Sequence, residues 1–113
     1  MKKNDSIYLI HILDSISKIE LYLEGIDKES YDKDTLIQDG VIRQLEIMGE
    51  AVKNISKELR KSFAHLPWQD IAGMRDKLIH HYFGVDIELV WETAKNDIPF
   101  LKSEFQKIVE SID

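Results

Sequence analysis

Residues 41–59 read VIRQLEIMGEAVKNISKEL, and the spacing of their apolar side chains decides the fold class. The apolar positions step by four, three, four, three and four residues: Val41, Leu45, Met48, Val52, Ile55 and Leu59. This is one buried face of a helix with 3.6 residues per turn. The stretch predicts a bundle helix that begins near Asp34 or Thr35, in which Gly40 and Gly49 let a neighbouring backbone approach.

The segment before it shows the same helical spacing. Its apolar stripe consists of Leu9, Ile12, Leu13, Ile16, Ile19 and Leu23. Asp5 or Ser6 is expected to cap this helix, and Gly25 to end it, because glycine accepts the left-handed conformation found after helix C-termini. The polar stretch 26–33 then predicts a loop.

The C-terminal segment carries the longest stripe. Its members are Ile87, Trp91, Ala94, Ile98, Leu101, Phe105 and Ile108. Asp86 is the expected N-cap, with Glu88 in the first turn. Pro99 removes one backbone hydrogen bond, but the stripe keeps its phase across it, so we expect a kink rather than two unrelated helices.

A third long helix is predicted between these segments. Pro67 suits its first turn, where the missing N–H costs little, and the helix is expected to run to about Phe83 and stop at Gly84. A short fifth turn is expected around 56–63. No strand pattern appears, and the sequence therefore predicts an all-α antiparallel bundle of four main helices plus the short fifth.

Composition narrows the function classes. A length of 113 residues fits a single domain over 1–113. No stretch approaches the roughly 20 apolar residues of a membrane span, and the N-terminus does not resemble a signal peptide, so a cytoplasmic protein is expected. The absence of cysteine excludes thiolate metal sites. A net charge of -6 counts against a broad nucleic-acid-binding surface, although a small local site is compatible with it.

The octet RDKLIHHY, residues 75–82, concentrates the chemistry of the chain. Arg75 can hold a phosphate through its planar fork, and His80 can move a proton near neutral pH. On a continuous helix Arg75 falls inside the apolar face, so it should meet a carboxylate, a subunit boundary or a cleft. A structural arginine paired with Glu46 or Glu50 is the alternative.

His80 lies about 140° from Arg75 on an ideal helix. The long arginine side chain, a distorted last turn or a dimer cleft would have to bring the two together. Asp76, four residues before His80, can orient the imidazole, or the two can form a solvent-facing pair without chemistry. Tyr82 is either a core residue with its hydroxyl at the rim or a modifiable hydroxyl beside the site.

No metal or other cofactor is expected. His80 and His81 are adjacent and point about 100° apart, which makes a poor chelate. Three acids on the second helix are interpreted as a solvated face rather than a cation site: Asp39, Glu46 and Glu50.

The octet has the arginine, histidine and tyrosine of the R-x4-H-x-Y signature, and the chain resembles HepT-like toxins of the HEPN superfamily, which are small helical ribonucleases. The similarity covers residues 47–51, 67–68, 71–76, 80–86 and 89–92. Outside this region only helical character is shared. Many members carry asparagine where this chain has Asp76, and the extra negative charge is expected to weaken RNA binding or retune His80.

The resemblance implies a HEPN bundle that works as a homodimer, with Arg75 and His80 of both protomers lining a shared cleft. The implied activity is metal-independent endonucleolytic cleavage of RNA, tRNA or mRNA, by a toxin. The implied partner is a minimal, MntA-like nucleotidyltransferase antitoxin that can transfer AMP from ATP to Tyr82. Neither DNA nor a membrane is an expected partner.

Two other functions stay open on the residues alone. A non-catalytic module would bind a nucleotidyltransferase through Arg75 and Tyr82, which the acidic net charge favours. A nucleotide-binding regulator would use Arg75 for a phosphate. The RNA target, the stoichiometry with an antitoxin and the modification state of Tyr82 do not follow from the sequence.

Overall fold

The computed structural model describes residues 3–80 and 84–112, apart from the side chains of Lys3 and His80. Two long helices, α1 (Lys3–Leu23) and α3 (Thr35–Lys53), form its centre. They run antiparallel, because Tyr22 near the end of α1 contacts Gly40 near the start of α3. Both predicted stripes lie in the core, with only Leu13 partly exposed.

The start of α1 differs from the prediction. The helix already includes Lys3, so neither Asp5 nor Ser6 caps it. Asp5 is instead buried, and its carboxylate accepts the backbone N–H of Ser56 at 2.8 Å and the Ser56 hydroxyl at 2.6 Å. It thereby ties α1 to the start of α4 (Lys57–Ser62), the predicted short fifth helix. At the other end of α1, Gly25 has a φ of 71° after the last helical turn, as predicted.

The predicted loop over 26–33 is wrong, because α2 (Lys28–Lys33) occupies it. Its anchor is Tyr31, which is fully buried. The Tyr31 hydroxyl donates to the Ile87 carbonyl at 2.8 Å, and its ring lies 4.9 Å from that of Trp91. Burial raises the pKa of Tyr31 to about 12. One aromatic side chain thus holds an otherwise polar helix on the bundle.

The predicted third helix is interrupted and shorter than expected. It consists of α5 (Trp68–Ala72) and α6 (Met74–Leu78), separated by Gly73. The chain then extends into β1 (Ile79–His80), which pairs antiparallel with β2 (Gly84–Val85). The prediction of a helix that runs to about Phe83 is therefore wrong, and the two short strands were not predicted. The ladder replaces helical hydrogen bonds, since the Leu78 carbonyl accepts the Asp86 N–H at 2.9 Å.

The last predicted helix is continuous through three segments. α7 (Ile87–Glu92) begins at its predicted cap Asp86, a π-helical turn covers Thr93–Asp97, and α8 (Ile98–Ile112) follows. In the π-helical turn the Ile98 N–H donates to the Thr93 carbonyl. The wide turn lies directly before Pro99, which has no N–H to donate, so the structure has a π-helical turn where a kink was predicted.

α8 closes the bundle against α1 and α5. Lys102 binds Glu20 of α1 at 3.0 Å, and the Phe105 ring meets the edge of Trp68 with centroids 5.8 Å apart. The architecture is all-α apart from the two-residue ladder, in agreement with the predicted class. Within residues 3–80 and 84–112, no helix combines the length and apolar character that crossing a membrane requires.

Candidate functional site

A close helix contact places the arginine of the motif. A Cβ built at Gly49 of α3 would lie 3.3 Å from the carbonyl oxygens of both Ile71 and Ala72. The missing side chain therefore lets the backbone of α5 approach α3, as the sequence predicted for this glycine. Met74 and Leu78 of α6 are buried beyond this contact, and they set the direction in which Arg75 leaves the helix.

Arg75 is exposed and paired. Its side chain is 55% exposed, and its Nε donates to Glu46 Oε2 on α3 at 3.0 Å. The prediction that Arg75 lies inside the apolar face is wrong, because the buried face of this segment is formed by Ile71, Met74 and Leu78 and leaves Arg75 outside it. The carboxylate partner is one of the two acids considered for a structural arginine.

The pair leaves most of the guanidinium available. Only Nε is engaged by Glu46, and Nη1 lies 3.6 Å from Asp76 Oδ1, beyond hydrogen-bond distance. A guanidinium carries five N–H donors. Glu46 therefore fixes the position of Arg75 while the terminal donors stay accessible to an anion such as a phosphate.

His80 lies in β1, directly opposite Gly84, and its side chain is outside the described part of the molecule. The separation of about 140° from Arg75 assumed an unbroken helix and does not apply, because α6 ends at Leu78. The helical spacing between Asp76 and His80 is absent for the same reason. The Asp76 side chain is 85% exposed. Tyr82 lies outside the described residues.

A groove between α1 and α3 adjoins the Arg75–Glu46 pair. Its volume is about 250 Å³, and its lining side chains include Tyr8, His11, Arg43, Glu46 and Asn54. This groove was not predicted from the sequence. The available signal was the position of Arg43, three residues before Glu46 on the same helix.

A second cavity, of about 450 Å³, lies on another side of α6. Met74, Lys77 and Leu78 contribute to its lining, while Arg75 does not. Although this cavity is larger than the groove, we therefore do not assign it to the motif that contains Arg75. Among the described residues no group of three or more His, Cys, Asp or Glu side chains could hold a metal ion.

The family model and the named relatives that match the chain indicate the same family. The family model described as "Ribonuclease HepT-like" matches residues 12–108. The chain is 49% identical over 113 residues to a Methanocaldococcus jannaschii protein named "Gamma-glutamylcyclotransferase and putative RNase". The match covers 100% of the chain but 51% of that relative, so the chain spans about half its length.

Two further relatives match over most of their own length. A second M. jannaschii protein, named "Putative RNase", is 45% identical over 99% of the chain and 97% of its own length. The "Probable ribonuclease HepT" of Thermococcus cleftensis is 45% identical over 96% of the chain and 98% of its own length. No solved structure gives a significant match.

Proposed function

The chain belongs to the HepT-like ribonuclease family, and from this premise we propose that residues 1–113 form one HEPN domain that cleaves RNA without a metal ion. The observation that carries the proposal is the Arg75 guanidinium. It is more than half exposed, and Glu46 holds it through Nε alone, so its terminal N–H groups can receive a phosphate. Such a fork binds phosphate oxygens in pairs.

In this mechanism Arg75 binds the scissile phosphate and stabilises the charge that develops in the transition state. His80 acts as general base or acid on the ribose 2′-hydroxyl or the leaving 5′-oxygen. The 2′-oxygen forms a bond to phosphorus as the bond to the 5′-oxygen breaks, so the products carry 2′,3′-cyclic phosphate and 5′-hydroxyl ends. Asp76 supports the site by orienting the imidazole of His80, which it must reach from α6 to β1 rather than along one helix.

The biological setting is also part of the proposal. The protein is a cytoplasmic toxin that acts on tRNA or mRNA as a homodimer, with Arg75 and His80 of both protomers in one cleft. A minimal nucleotidyltransferase antitoxin neutralises it by transferring AMP from ATP to Tyr82, with release of pyrophosphate. The added phosphodiester places bulk and negative charge two residues from His80, which repels RNA.

A second candidate is a non-catalytic module that holds a nucleotidyltransferase partner. The Arg75–Glu46 ion pair favours it, because the same contact would serve a purely structural arginine. Asp76, 3.6 Å from Nη1, adds a second negative charge beside the guanidinium. The two candidates differ in whether RNA is cut.

The test is cleavage of total RNA in EDTA by purified protein whose mass shows an unmodified Tyr82. Arg75→Ala is matched by Lys77→Ala, which removes the same charge from the same helix, and His80→Ala is matched by His65→Ala. We expect cleavage by the parent and both matched controls, loss in both site variants, and cyclic phosphate ends. Undiminished cleavage by His80→Ala would refute the mechanism, and no cleavage by the parent would select the non-catalytic module.

A further inference from the structure

The groove between α1 and α3 shares one residue with the proposed cleavage site. Glu46 belongs to both, since it lines the groove and binds Arg75 at 3.0 Å. From Arg43 to Asn54 the groove wall extends about 16 Å along the axis of α3, at 1.5 Å per residue. A strand in the groove would therefore pass Glu46, the carboxylate that binds Arg75.

The charge in this groove differs from that of the whole chain. Its two carboxylates are engaged, Glu46 by Arg75 and Glu50 by Lys53 at 3.2 Å. Arg43 is exposed, and its side chain has no ion pair or hydrogen bond with any residue that the structure describes. The groove thus presents an uncompensated guanidinium, although the net charge of the protein is -6. A phosphate is the anion that such a fork suits best.

The opposite wall carries two rings. Tyr8 and His11 of α1 meet edge to face with centroids 6.2 Å apart, and both line the groove. His11 is exposed and Tyr8 partly so. Ring faces beside a backbone-binding cation are the combination that binds single-stranded nucleic acid, where bases stack and phosphates pair with arginine.

We propose that the groove between α1 and α3 binds the single-stranded RNA that flanks the scissile phosphate, with Arg43 on a neighbouring phosphate and Tyr8 and His11 against its bases. This inference rests on the proposed ribonuclease function and extends it from one phosphate to a strand. The contact at Arg43 is with the backbone, so it adds affinity without selecting a base sequence.

The test uses a short single-stranded RNA of mixed sequence with methylated 2′-hydroxyls, which binds but cannot be cut. Affinity is measured against salt concentration for the parent, Arg43→Ala, Arg43→Lys and the matched control Lys107→Ala, a cation of α8. Arg43→Ala should weaken binding at low salt by about tenfold and lower the slope of log affinity against log salt by about 0.7. Arg43→Lys should restore the slope, and Lys107→Ala should behave as the parent.

Photo-crosslinking from thiouridine in the same RNA gives an independent readout, with the adduct expected on Tyr8 or His11. Arg43→Ala indistinguishable from Lys107→Ala, or no adduct in the groove, would overturn the inference while parent cleavage kept the ribonuclease proposal. An Arg43 effect without any cleavage by the parent would support the groove and reject the catalytic function. Unchanged RNA affinity with lost self-association in Arg43→Ala would assign the groove to a protein interface and overturn the inference.

Discussion

Replacing Gly49 with alanine tests the helix contact that positions Arg75. Alanine at Gly49 or at Gly40 gains about 1 kcal/mol in helix propensity, because both glycines lie inside α3. The new Cβ at Gly49 would meet two backbone oxygens at 3.3 Å, whereas at Gly40 it would meet the Tyr22 ring at 3.2 Å. Backbone of a packed helix yields less easily than a partly exposed ring, and overpacking costs about 1–3 kcal/mol.

The propensity term cancels in the difference between the two variants. We therefore expect Gly49→Ala to unfold with a free energy about 1–2 kcal/mol below that of Gly40→Ala. The assay is urea denaturation followed by circular dichroism, with thermal melting as a second measure, where about 4 °C corresponds to 1 kcal/mol. A Gly49→Ala protein as stable as Gly40→Ala would refute the reasoning, since α5 would then not be held against α3 at this distance.

Other substitutions test the burial and charge of single groups. Tyr31→Phe should lower the free energy of unfolding by about 1 kcal/mol through its lost hydrogen bond, and Tyr22→Phe, whose hydroxyl has no partner among the described residues, should not. Because the pKa of Tyr31 is raised from 10.0 to about 12, wild-type stability should fall as pH rises through that interval, as urea titrations would show. Asp5→Ala should cost about 2 kcal/mol in urea unfolding, because it leaves the Ser56 N–H and hydroxyl without their acceptor, whereas the exposed Asp14→Ala should cost little. Asp76→Asn should tighten RNA binding about twofold at low salt and not at high salt, because the charge it removes is exposed.

The long helices were predictable because their burial repeats along the chain. The stripe from Val41 to Leu59 lies in the core, and so do most members of the other two stripes. Residue types that are typical of helix ends also predicted two boundaries correctly: Asp86 caps α7, and Gly25 adopts the left-handed conformation after α1. In these segments local preference and tertiary packing favour the same structure, so a single sequence is sufficient.

Short elements were missed where one tertiary contact outweighs local preference. α2 has a polar sequence, and Tyr31 alone is fully buried in it. The ladder of Ile79 with Val85 has two residues per strand, too short for a recognisable alternation. Asp5 resembles a cap for its own helix but binds Ser56, which lies 51 residues away. None of these contacts is visible in the spacing of apolar residues.

The exposure of Arg75 was also missed, because it depends on tertiary packing that the spacing of apolar residues does not reveal. Among the differences from prediction, it bears most on the proposed function. A wheel drawn through Gly73 places Arg75 in the core, where a charge requires full compensation. In the structure Arg75 lies outside the buried side of its helix, Glu46 binds Nε, and the remaining donors stay accessible. The acidic net charge is a weak argument against the proposed RNA binding, because Glu46 is already paired with Arg75, whereas the Arg43 side chain beside it has no partner among the described residues. For a local anion site, the charges that are left unpaired therefore matter more than the charge averaged over the chain.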